Sequence, residues 1–277
     1  MDDFLIGLLN EVCGSGLFNS IFDTLSINLF SADGQFAGAL DVVRGLHYDV
    51  IKPLALMLMF VYFMLAVVDK LTQENFTWEQ LWRQMALLLV SKYLIDHGFE
   101  ILELLFDIGM AVAAEIQEWT GYGGSDSTAV SNAQEILERF RSSLGMPNWL
   151  SDICLILFMI FPYLASWVMK IAVSVICYTR VMEIYIRATF APVALADFFH
   201  SGLQGSGWRY LKNFLAVCLQ GGFILVVAVI YSALMQQLTV TETDLFKFTG
   251  VFIAFGASAC MILFKSLSLT KELVGTN

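Results

Sequence analysis

From residue 213 to residue 241 the chain carries no charged side chain. A helix needs about 20 apolar residues to cross a bilayer. Inside lipid every backbone N–H and C=O must be satisfied within the protein, so a stretch of this kind has to be helical. The feature recurs. Residues 53–68 are uncharged and bracketed by Lys52 and Asp69-Lys70; Pro53 suits the first turn of a helix, and Lys52 can snorkel. Residues 153–169 are uncharged, with a kink predicted at Pro162; the apolar run resumes after Lys170 and continues to Thr179. Residues 248–264 form the last such segment, and their Gly250, Ala254, Gly256, Ala257, Ser258 and Ala259 allow close helix packing.

Composition agrees. Hydrophobic residues make up 58% of the chain, charged residues 14%, and mean hydropathy is +0.71. Soluble domains run at roughly 45–50% apolar and about 25% charged. So much apolar surface cannot be hidden in one soluble core, and lipid must cover part of it. The expected fold is all-α, a polytopic integral membrane helical bundle. About five to six membrane segments are expected from hydropathy, with interfacial amphipathic helices besides.

Four regions follow along the chain. Residues 1–48 read as an interfacial segment with short amphipathic helices, broken at Gly14-Ser15-Gly16. Residues 49–119 hold the first membrane helix and a long, partly charged helix over 78–119. Residues 120–150 are a Gly/Ser-rich linker and a short amphipathic helix. That helix starts at a Ser131/Gln134 capping box, has Ile136, Leu137, Phe140 and Leu144 on one face, and ends at Gly145 and Pro147. Residues 151–277 form a C-terminal membrane bundle. The opening Met1-Asp2-Asp3 is acidic, unlike the basic start of a secretory signal. Lys265 and Lys271 after the last segment, against Glu242 and Asp244 before it, predict a cytoplasmic C-terminus.

Charge at membrane depth is costly and needs an explanation. At 100° per residue, Lys92, Asp96, Glu100, Glu103 and Asp107 fall at about 0°, 40°, 80°, 20° and 60° on a helix. Four acids and a lysine thus share one stripe. It is read either as the wall of a water-filled lumen or polar seam, facing basic residues such as Lys170, Arg180 or Arg187, or as the solvated face of a helix lying along the surface. A second cluster, Arg180, Glu183 and Arg187, shares a face at spacings of three, four and seven. It is read as a salt-bridge seam or as a lining or subunit contact, on a segment, 180–197, that crosses the membrane in part.

Several chemistries are not indicated. His47, His97 and His200 are isolated, and no Cys or His partner lies near them at ligand spacing. Cys13, Cys154, Cys177, Cys218 and Cys260 are widely spaced, and four of them sit in apolar stretches. There is no nucleophile elbow, phosphate loop or dinucleotide fingerprint. Neither an enzyme nor a cofactor is expected. A formal charge of −10 gives no footprint for stable nucleic-acid binding.

The run Cys177-Tyr-Thr-Arg180-Val-Met-Glu183-Ile-Tyr-Ile-Arg187-Ala-Thr-Phe-Ala-Pro192-Val-Ala-Leu-Ala-Asp197 resembles the signature region of TrbL-type polytopic membrane subunits of conjugative type IV secretion systems. It is closest to versions from conjugative elements of Firmicutes. The stretch Trp208-Arg-Tyr-Leu-Lys212 and Gln220-Gly221-Gly222 also resembles that family. The similarity is carried by residues 153–268 and is weak before residue 78. It implies a multi-pass subunit of the cytoplasmic membrane that forms homo-oligomers and works beside a secretion ATPase and other secretion membrane subunits. It also implies a role in passing single-stranded DNA with its relaxase. Arg180, Glu183, Arg187, Pro192 and Asp197 match the motif, with a role in packing and assembly. Two other readings stand beside this one: a small-solute or ion transporter using the Lys92–Asp107 stripe, and a membrane scaffold without a conduit.

Overall fold

In the computed structural model, residues 5–8, 25, 27–31, 34–72, 78–120, 133–144, 148–197, 205–241 and 245–275 are described. Every regular element among them is a helix. Helix α1 (Ala37–Gly45) passes through a π-helical turn (Leu46–Ile51) into α2 (Lys52–Leu71). Then follow α3 (Trp78–Asp96), α4 (Gly98–Thr120), α5 (Ala133–Leu144), α6 (Asn148–Ala196), α7 (Ser206–Thr241), α8 (Leu245–Phe264) and α9 (Ser266–Val274).

Pro53 stands in the first turn of α2, as its position suggests, but α2 continues a helical run that begins at Ala37. Proline lacks an N–H and crowds the carbonyl four residues back. The preceding turn widens to accommodate it, and the Lys52 N–H bonds to the His47 carbonyl, five residues back. Pro162 and Pro192 are likewise carried inside the unbroken α6. Residues 180–197 are therefore no separate partial crossing, since 180–196 continue the helix that begins at Asn148.

Four helical segments among the described residues are long and apolar enough to span a bilayer: Ala37–Asp69, Ile153–Ala196, Ser206–Met235 and Lys247–Phe264. This is fewer than the five to six expected, for two reasons. The 180–197 stretch merges into α6, and α3 and α4 carry too many charges to qualify. The boundaries drawn at residues 48 and 150 fall inside the π-helical turn and inside α6. Of the N-terminal amphipathic helices, most lies outside the described residues, as do Ser131, Gly145 and Pro147 of the linker helix.

Contacts divide the chain into two units. The first comprises Met1–Ser26, Val112–Thr179 and Gly221–Ser266. Its core is apolar: Leu137 and Phe140 of α5 are buried, and the Phe140 ring lies 5.5 Å from that of Phe248. Of the two glycines in α8, Gly256 is the tightly packed one, since a Cβ there would strike the Met169 side chain, whereas Gly250 faces open space.

The second unit comprises Ile27–Ala111, Arg180–Gln220 and Leu267–Asn277. Phe99, Leu102 and Phe106 of α4 pack with Ile184, Ala188 and Ala191 of α6 and with Phe214 and Val217 of α7. A smaller cluster joins Ala55 and Met59 to Ile95, Leu195 and Ala196. Gly109 permits the closest approach: a Cβ there would lie 2.7 Å from the Cys218 carbonyl oxygen. That contact is with backbone, so no rotamer change could relieve it.

Candidate functional site

The motif residues of α6 all lie in the second unit, and four of the five make polar contacts that are described. Arg180 is 4% exposed. A buried cation is tolerated only when its donors are met. Its Nε donates to the Val217 carbonyl at 3.2 Å and its Nη2 to the Cys218 carbonyl at 3.0 Å. Each helix carbonyl keeps a second lone pair after its in-helix bond, so the guanidinium can fork across both. The Cys218 carbonyl is thus held by Arg180 on one side and abutted by Gly109 on another.

Glu183 and Arg187 pair with each other one turn apart, with both half-buried. Arg180, three residues before Glu183, turns to α7 instead. The Arg187 carbonyl in turn accepts the Tyr210 hydroxyl, and the Tyr185 hydroxyl donates to the Leu29 carbonyl at 2.9 Å.

Pro192 acts through what it lacks. In an α-helix residue 192 would donate its N–H to the Ala188 carbonyl, and proline cannot. His47, fully buried in the π-helical turn, fills that vacancy: its Nδ1 lies 2.8 Å from the Ala188 oxygen. A carbonyl only accepts, so Nδ1 carries the proton and Nε2 is the acceptor. The His47 ring also meets the Phe99 ring edge-on, centroids 5.2 Å apart. Asp197, just past the end of α6, caps the next helix: its Oδ2 accepts from the Ser206 backbone N–H at 3.1 Å and from the Ser206 hydroxyl. A carboxylate at a helix N-terminus also opposes the positive end of the helix dipole.

The charged stripe over 92–107 does not lie on one uninterrupted helix. It is divided at His97, between α3 and α4, although the Tyr93–His97 and His97–Ile101 backbone bonds keep helical spacing. Lys92, Glu100 and Asp107 are exposed, and Asp96 and Glu103 are half-buried. Asp96 pairs with Lys52 at 3.0 Å, and Glu100 with His97 at 2.9 Å. Of the basic residues expected to face the stripe, Arg180 and Arg187 are directed to the partners given above. Lys52, whose Nζ also lies 5.4 Å from the Tyr48 ring centre, supplies the cation instead.

His47, Lys52, Gly109, Ser206 and Tyr210 were not singled out from the sequence as site residues. One signal was available. A proline inside a buried helix leaves a carbonyl that needs a donor, and His47 is one of few buried side chains in the first helix able to provide it. Among the described residues no group of three or more Asp, Glu, His or Cys is placed to hold a metal ion. The polar side chains of the site are spent on main-chain carbonyls, an ion pair and a helix cap.

A helical protein with four candidate membrane spans, three of them joined by buried side-chain contacts to backbone, belongs to the class of polytopic membrane proteins. The family model described as "TrbL/VirB6 plasmid conjugal transfer like protein" matches residues 33–192, more than half of the chain. The chain belongs to that family, and so is a membrane component of a conjugal transfer, type IV secretion apparatus that works with other transfer subunits. The matched region corrects the expected extent of the similarity. It includes the first helices, where resemblance had been thought weak. It ends at Pro192, leaving Asp197 and the Trp208–Lys212 stretch outside. No curated protein and no solved structure matches the chain.

Proposed function

We propose that this chain is a non-enzymatic, homo-oligomeric assembly subunit of a conjugative type IV secretion channel. It sits multi-pass in the cytoplasmic membrane with its C-terminus in the cytoplasm. With a secretion ATPase and other membrane subunits, it helps single-stranded DNA with its relaxase to cross, without binding nucleic acid stably. The observation that carries this reading is the use made of the family region. Arg180, Glu183, Arg187 and Pro192 fall within the matched residues; Arg180 and the vacancy left by Pro192 tie α6 to α7 and to the first helical run, while Glu183 and Arg187 pair within α6. The net charge of −10 suits a conduit or frame that must let a polyanion go, because affinity rises steeply with each cation placed on phosphate.

The rival reading, an ion path along the 92–107 stripe, is weakened by the division at His97 and by the local pairing of Asp96 with Lys52 and of Glu100 with His97. Mating frequency from a donor with an in-frame deletion, with and without the gene restored in trans, tests the proposal. Loss of transfer that the restored gene rescues is the expected result. Undiminished transfer overturns it.

A further inference from the structure

The third candidate span is mostly enclosed by protein, but in the first unit one part of it opens outward. There, Val226, Val229 and Ile230 of α7 and Glu115, Ile116 and Trp119 of α4 line a groove of about 390 Å³. Val226 and Ile230 are 40% and 54% exposed, and Trp119 is 86% exposed. The hydroxyl of Thr120, which also lines the groove, is engaged within α4: it donates to the Ile116 carbonyl at 2.7 Å. The groove is thus apolar along its length and carries one ionisable lining group, a carboxylate.

Ile230 lies five residues before Met235, where the candidate span ends, and Thr120 is the last residue of α4. Exposed tryptophans concentrate at the level where acyl chains give way to headgroups. An apolar trough bordered by a carboxylate and a tryptophan matches one kind of molecule, with a hydrocarbon tail and a cationic head able to donate hydrogen bonds. We infer that this groove is a binding site for a phospholipid with a primary-amine headgroup, of the phosphatidylethanolamine type. An acyl chain lies along Val226, Val229 and Ile230, and the ammonium group donates to Glu115. Trimethylammonium headgroups have no N–H to donate, and headgroups of net negative charge are repelled by the carboxylate.

The test uses the full-length protein purified in mild detergent and offered phosphatidylethanolamine, phosphatidylcholine or phosphatidylglycerol of one acyl composition, with retained lipid counted by native mass spectrometry. Retention of phosphatidylethanolamine about fivefold above the other two is expected, the ratio that one exposed ion pair supports. Glu115→Gln should abolish that preference while leaving acyl-driven retention in place. Val229→Trp, which fills the trough, should lower retention of all three lipids. Melting temperature and elution volume establish that both variants are folded. Equal retention of the three lipids by the unaltered protein overturns the inference, as does a preference unchanged in folded Glu115→Gln. Cysteines at Val226 and Ile230 that crosslink between two copies in lipid-replete membranes would also overturn it, by placing a second subunit in the groove.

Discussion

The segments Ala37–Asp69 and Ser206–Met235 are nearly equal in hydropathy, but 11% of the most apolar window of the first is buried within the chain against 61% of the second. Hydropathy dictates the medium and says little about the neighbour. In Ser206–Met235, Phe214, Ala216, Val217 and Cys218 are buried, Arg180 seizes two of its carbonyls, and Gly109 lies against one of them. In Ala37–Asp69 the ties cluster in the middle, at His47 and Lys52. Beyond them Met57, Leu65 and Val68 are 70%, 61% and 57% exposed. One span is fixed by its own chain. The other is moored by a few polar contacts and offers most of its surface to its surroundings.

The sharpest way to break this contrast is at Gly109. Gly109→Leu forces a side chain into the Cys218 backbone and should eliminate folded protein, read as loss of the monodisperse peak in fluorescence-detected size exclusion. Gly250→Leu, where a Cβ meets nothing within 4 Å, should leave that peak in place. If both behave alike, the close approach of α4 and α7 is wrong.

Next in size is Arg180→Met, which strips a buried donor from two carbonyls and should cost about 3 kcal/mol, measured as a lowered thermal midpoint. Arg180→Lys should recover only part of the loss, because an ammonium cannot fork across two carbonyls as a guanidinium does. Full recovery would show that charge alone, and not bidentate geometry, holds α7.

His47→Phe should cost about 1–2 kcal/mol by leaving the Ala188 carbonyl without a donor. Pro192→Ala restores an in-helix N–H to that carbonyl, so it should help the His47→Phe protein more than the unaltered one. A double-mutant cycle should show coupling of about 1 kcal/mol. Strict additivity would separate the two residues.

The smallest effect is expected at the half-exposed Lys52–Asp96 pair. Lys52→Ala and Asp96→Asn should each cost less than about 1 kcal/mol, and the cost should shrink at high salt. A larger, salt-insensitive loss would mean that this mooring is as enclosed as the Arg180 tie.

Much of the fold was legible because lipid simplifies the code. The uncharged runs of 53–68, 153–169 and 248–264 each fall within a candidate span, and that of 213–241 overlaps one through Met235. What the pattern missed was the continuity of helices through proline. Pro53 stands in the first turn of α2, but α2 continues the run that begins with α1, and the 180–197 segment that carries Pro192 is part of α6; a π-helical turn in one case and His47 in the other absorb the lost hydrogen bond. The motif residues could be found from pattern, but the partners of Arg180 could not. A backbone carbonyl has no sequence identity, and the spacing of Arg180 to Glu183 pointed as readily to an ion pair. The basic partner of Asp96 was misjudged for a related reason: Lys52 is 44 positions away along the chain (96 minus 52) and stands beside a proline that had suggested a helix start.

The vacancy left by Pro192 has a consequence for how the chain threads itself. The Ala188 carbonyl works as an address that one side chain of the incoming first helix can answer. Were that helix to dock one residue out of step, Leu46 would bring no donor and Tyr48 would bring a longer arm with its hydroxyl at the far end. The bare carbonyl would then sit unanswered in a medium without water. A missing hydrogen bond in one helix thereby proofreads the register of another.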